Sequence, residues 1–171
     1  QGFTKMMADE GSTDFKDTEF YSAYSSGDTN KVKNIMQKYF NLEICEDSSC
    51  NISAAVTHGP RIFGNAGENA TAYLFNDGSA MQIPGGSSHY NGLIDINVDI
   101  NGPKKPNTYG RDIFRFAIDS SSKVVPWCDN EDVICYINGN DGDPCTTEYV
   151  ATGYGWSCAQ KIIAEGWQMD Y

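Results

Sequence analysis

The sequence predicts an α+β fold, with helices first, an antiparallel sheet next and a cysteine-rich tail last. Three observations carry this. Before Asn41 the apolar residues recur with the helical period. After Cys50 the period falls to two. Strand-like and helix-like segments do not alternate, as a parallel sheet requires. With 171 residues, 40% hydrophobic and 12% aromatic, the chain is one domain long and can fill a core.

Each element has its own reason. Residues 1–13 are weakly patterned and are expected to fray. Phe15, Phe20, Tyr21 and Tyr24 give an aromatic-faced helix over 14–24, which Ser25-Ser26-Gly27-Asp28 breaks. Val32, Ile35, Met36, Tyr39 and Phe40 fall at i, i+3, i+4, i+7 and i+8, one face of a second helix. Asp28 or Thr29 can cap it. Residues 70–75 and 79–83 are two short strands joined by the tight turn Asn76-Asp77-Gly78. In residues 93–100, Ile94, Ile96, Val98 and Ile100 face one way, and Asp95, Asn97, Asp99 and Asn101 face the other. That alternation predicts a strand with one face in the core and one polar face in water. Prolines 103 and 106 stop it. Residues 112–118 and 123–127 complete a sheet of four or five strands, with Ile113 opposite the Phe114/Phe116 pair. The tail from 157 to 165 reads as a helix with Cys158, Ile162 and Ile163 inward, ended by Gly166.

Charge narrows the partners. Twelve Lys and Arg against 23 Asp and Glu give a net charge of −11. Such a field repels nucleic acid and anionic membrane surfaces and accepts a divalent cation. Cys45, Cys50, Cys128, Cys135, Cys145 and Cys158 form no CxxC pair and have no histidine at zinc spacing. An even, clustered count in an acidic, Gly- and Asn-rich chain favours disulfides in an oxidising compartment. Cys45 and Cys50 suggest one local loop. The other four are expected to bridge among themselves.

Catalytic motifs are missing. His58 and His89 stand in no HExxH pattern, and Gly86-Ser87-Ser88-His89 is not a strand-to-helix nucleophile elbow. No phosphate-binding loop occurs, so the expectation is a chain that is not an enzyme. Asp95-x-Asn97-x-Asp99-x-Asn101-Gly102 resembles part of a calcium loop. With Asn97 first in EF-hand register, however, the twelfth residue is Thr108 and not the bidentate Glu. A plain polar strand face and Asn-Gly turn explains the same residues. A calcium site of another kind would draw on Asp99, Asn101 and Asp112. Asp141 and Asp143 are a weaker candidate. Asn51 and Asn69 stand in glycosylation sequons of the sort that arise by chance in an Asn- and Ser-rich chain.

Three stretches carry a family likeness: Val98 to Phe114 (VDINGPKKPNTYGRDIF), Gly153 to Tyr171 (GYGWSCAQKIIAEGWQMDY) and the hairpin Ala72 to Ser79. They resemble strings found in bacterial type IV pilins and in the pseudopilins of type II secretion, and cover about a quarter of the chain. The resemblance implies a single pilin-like domain over 1–171. Its parts are helices over 1–43, a loop over 44–69 holding Cys45 and Cys50, the sheet over 70–127 and a cysteine-rich region over 128–171. It also implies an apolar N-terminal anchor helix, absent from these 171 residues, through which a subunit meets other subunits in a filament core. The expected place is a cell-surface filament, or the periplasm for a pseudopilin, with a surface or host molecule as ligand. Some pseudopilin heads hold calcium in a loop, which is what the resemblance adds to Asp99, Asn101 and Asp112. A different class of function, binding of a glycan or surface polymer, would use Trp127, Trp156 and Trp167 as stacking platforms.

Overall fold

The computed structural model describes residues 2–45, 71–83, 94–102, 104, 109–127 and 158–166. Its architecture is α+β: a layer of helices packed on a six-stranded antiparallel sheet.

Three α-helices open the chain: α1 (Gly2–Glu10), α2 (Glu19–Ser26) and α3 (Thr29–Tyr39), with a 3-10 turn at Phe15–Asp17 between the first two. Residues 2–10 do not fray as expected. Phe3, Met6 and Met7, at i, i+3 and i+4, are buried, and the Phe3 ring lies 4.8–5.7 Å from the rings of Phe15, Phe20 and Phe40. Three large side chains on one stripe hold a nine-residue helix that propensity alone would not. The helix expected over 14–24 divides in two, because Thr18 leaves the helical conformation to cap α2. Its Oγ1 donates to the Phe15 carbonyl at 2.6 Å and accepts from the Tyr21 N–H at 3.1 Å. Gly27, at φ 74°, closes α2 in the left-handed conformation, and Asp28 caps α3 by accepting from the Lys31 N–H at 3.0 Å.

The strands are β1 (Leu42–Cys45), β2 (Thr71–Phe75), β3 (Ala80–Ile83), β4 (Ile94–Asp99), β5 (Ile113–Ile118) and β6 (Val124–Pro126). They lie in chain order, each antiparallel to the next. Among the described residues the sheet therefore has six strands where four or five were expected. The extra one, β1, begins in the stretch assigned to the helical part and runs into the expected loop. Asp119 builds the β5–β6 turn, its Oδ1 accepting from the N–H groups of Ser121 and Lys123. This turn meets the helical layer, where the Phe15 N–H donates to the Ser120 carbonyl at 2.6 Å.

The register sorts the sheet into two faces. Tyr73, Met81, Val98 and Phe114 form one row across β2–β5, and Ile96 pairs with Phe116 and Ile94 with Ile118. These side chains meet Phe3, Phe15, Phe20, Ile35 and Met36 in the main core. The last helix, α4 (Cys158–Ala164), adds Cys158, Ala159 and Ile162 to it. Gly166, at φ 71°, follows α4 as expected. Ile113 turns the other way and packs with Ala80 and Tyr109, opposite the Phe114/Phe116 pair.

Candidate functional site

The second face of the sheet carries most of the polar chemistry. Gln82, Asn97 and Arg115 form a row across β3, β4 and β5, and Asp95 and Asp99 flank Asn97 on β4. The strand alternation placed this face in water. The structure corrects that: Asp95, Asn97 and Asp99 are at most 3% exposed. Burial becomes tolerable because these groups bond one another. The Asp95 carboxylate accepts from Arg115 Nη2 at 2.5 Å, and Asn97 Nδ2 donates to Gln82 Oε1 at 3.4 Å. Ile100, expected on the core face, lies past the end of β4 and is 51% exposed.

The β4–β5 turn brings Asp99, Asn101 and Asp112 together. Asp99 Oδ1 accepts from the Asn101 N–H at 3.0 Å, and Asn101 Nδ2 donates to Asp112 Oδ2 at 3.1 Å. The Ile100 N–H donates to the Asp112 carbonyl at 2.9 Å, so both ends of the turn are tied. Gly102 sits at φ 65° with its Cα facing the Gly78 carbonyl. A Cβ there would stand 2.3 Å from that oxygen, so only glycine lets the β4–β5 turn pack on the β2–β3 turn. Burial, aided by the negative charge of Asp112, pushes the Asp99 carboxyl up to about 6 against the N–H bonds that favour its ionised form.

The site is rich in acceptors. Asp95 Oδ1, Asn97 Oδ1, Asp99 Oδ2 and Asn101 Oδ1 are buried and meet no hydrogen-bond donor among the described residues. Such oxygens are ordinarily met by ordered water or a cation. Asp99, Asn101 and Asp112 fit calcium in the chemistry of their donors, two carboxylates and an amide oxygen. They supply fewer than the six to eight oxygens calcium takes, so backbone carbonyls and water would complete the shell. Among the described residues, no group of three or more His, Cys, Asp and Glu gathers.

The remaining expectations divide. Trp127 is 4% exposed, with the Arg115 guanidinium 4.1 Å over its ring. It is therefore a packed cation–π partner and no open stacking platform. Cys158 is buried. Cys50, Cys128, Cys135, Cys145, His58, His89, Ser87, Asp141, Asp143, Trp156, Trp167 and the sequons lie outside the described residues, as does the Cys45 side chain. Sequence reasoning missed Gln82, Arg115 and the pairing of Asp95 with Arg115. The one available signal was an arginine between Phe114 and Phe116, on a strand otherwise apolar. Among the described residues, no helix is long and apolar enough to cross a membrane. Comparison with protein-family models, with curated proteins and with solved structures found no match.

Proposed function

We propose that this chain is the extracytoplasmic head of a type IV pilus-like filament subunit, a structural or adhesive protein with no enzymatic role. The observation that carries the reading is the pilin-like string Val98–Phe114, which joins the end of β4 to the start of β5 and whose described residues Asp99, Asn101 and Asp112 are tied to one another by hydrogen bonds. An antiparallel meander backed by helices suits a head that coats a filament. An apolar helix preceding Gln1 would lead toward α1 and supply the contact with neighbouring subunits. Disulfides among the six cysteines, with Cys45 joined to Cys50, would constrain the segments that carry them, and Cys158 lies in the core. A calcium ion at Asp99, Asn101 and Asp112 would neutralise the acceptor-rich turn and fix it.

The native polypeptide tests this. N-terminal analysis of the chain from its own cells should find about twenty apolar residues before Gln1, enough to cross a bilayer. Shearing should release it with surface filaments. A native chain with no such segment overturns the reading. A chain that has the segment but stays in the envelope is instead a secretion pseudopilin, the same architecture in another machine.

A further inference from the structure

The β4–β5 turn contains the dipeptide Asn101-Gly102, and the fold uses both residues. Asn101 ties the turn across to Asp112, through Nδ2 at 3.1 Å from Oδ2. Gly102 stands at φ 65°, where a Cβ would strike the Gly78 carbonyl. The pair carries a chemical weakness. A glycine after asparagine has no side chain to keep its backbone nitrogen from the asparagine Cγ. When that nitrogen attacks, the N–Cγ bond forms and the Cγ–Nδ2 bond breaks. Nδ2 leaves as ammonia, taking the proton that the Gly102 nitrogen gives up. Water then opens the resulting succinimide at either carbonyl and leaves aspartate or isoaspartate. Water is the only co-reactant.

The closed turn opposes each part of that step. The attacking nitrogen is engaged, because the Gly102 N–H is turned to the Asp99 carboxylate, whose Oδ1 also holds the Asn101 N–H at 3.0 Å. An anionic acceptor favours the protonated form of a donor beside it. The leaving nitrogen is engaged by Asp112. Asn101 Oδ1, which gains negative charge as the ring closes, is buried and meets no donor among the described residues. Charge developing on a carbonyl oxygen needs a donor aimed at it. The Ile100 N–H, bonded to the Asp112 carbonyl at 2.9 Å, holds the two sides of the turn together. We propose that Asn101 is a modification site, converted to aspartate or isoaspartate when the β4–β5 turn opens and guarded by Asp99 and Asp112 while it is closed. The product cannot close the turn again. An aspartate at position 101 sets a carboxylate against Asp112 where an amide donor stood, and isoaspartate lengthens the backbone beside the Gly78 contact. Modification therefore accumulates as a one-way record of opening. The inference rests on the turn alone, and neither on the filament reading nor on a bound cation.

Peptide mapping by mass spectrometry tests it, on the purified chain held at mildly alkaline pH with a chelator, folded and in concentrated urea. Asn91-Gly92 and Asn138-Gly139 give the unfolded chain two internal references for the same dipeptide. In urea Asn101 should convert about as fast as they do. In the folded chain it should convert more slowly than in urea by about tenfold or more. Asp99→Ala removes the acceptor for the Gly102 N–H, and Asp112→Ala frees the leaving nitrogen. Each should speed conversion of Asn101 in the folded state by about tenfold, with hydrogen exchange at the Gly102 amide rising in step. Circular dichroism shows whether a variant is folded; if one is not, the other decides. Conversion of Asn101 as fast in the folded parent as in urea overturns the proposal. So do folded variants that convert no faster than the parent, or that convert faster with Gly102 exchange unchanged. Those failures leave the filament reading standing, since it depends on the apolar segment before Gln1.

Discussion

Asp99 is the residue on which the polar face turns. Its carboxyl is raised to about 6, chiefly by burial, whereas an aspartate in the unfolded chain titrates near 3.9. Between those values the folded state binds more protons than the unfolded state. Stability therefore falls as pH rises from about 4 to about 6 and is level above that, a loss on the order of 3 kcal/mol. Asp99→Asn keeps an acceptor for the Asn101 N–H and cannot ionise. With a chelator present, urea unfolding should show the variant gaining on the parent across that window and holding its lead at pH 7.5. A gap independent of pH would mean that Asp99 does not titrate as its burial implies. Calcium reverses the comparison. A dication among Asp99, Asn101 and Asp112 relieves the charge that burial makes costly and binds only the native state. Millimolar calcium should raise the melting midpoint of the parent and leave that of Asp99→Asn in place. Equal midpoints with and without calcium in the parent would retire the calcium reading and keep a plain polar turn.

The helix caps show how elements were and were not legible. Asp28 was readable: a capping residue stands before a strong helical stripe, and the structure uses it. Thr18 was not, because Phe15, Phe20 and Tyr24 look like one continuous face, and the break between them is set by a hydroxyl. The two caps differ in setting. Asp28 is exposed, and Asp28→Ala should cost about 1 kcal/mol. Thr18 is 1% exposed and bonds on both sides, so Thr18→Ala should cost about 2 kcal/mol or more. Denaturant titration of both variants checks the order; an equal cost would show that burial adds nothing to the cap. The same contrast runs through the sheet. The β2–β3 hairpin was legible in Asn76-Asp77-Gly78, which demands its turn. β1, four residues with no turn signal beside it, was not. In β4 the period of two was visible, and so was the division of its residues into two faces. That both faces are buried was not, because an alternating strand reads the same whether its polar side meets water or an arginine on the next strand. Asp99, Asn101 and Asp112 could be grouped from the turn chemistry. Asp95 and Arg115, twenty residues apart, could be joined only by the register.

At the scale of the whole molecule, helices and sheet share one core. Phe3 touches rings from the 3-10 turn, α2 and the end of α3, and Phe15 is bonded through its N–H to the β5–β6 turn. α1 is thus packed into the helical layer through Phe3, and is no detachable arm. Phe3→Ala removes the largest buried side chain of α1 from a site 4% exposed, a change that costs about 3–5 kcal/mol in well-packed cores. The form of the loss tells more than its size. If the layers are one cooperative unit, far-ultraviolet circular dichroism, which follows the helices, and tryptophan fluorescence, which includes Trp127 on the opposite face of the sheet, will shift together in Phe3→Ala and keep coincident midpoints. If the helical signal melts first while the tryptophan signal holds its parental midpoint, the helices and the polar face are separate units, and α1 stabilises only its own layer. The shared core of Phe3, Phe15, Met36, Ile94 and Phe114 argues for the first outcome. Cavity formation at Phe3 should then reach Arg115 and Trp127 through the strands that carry both faces.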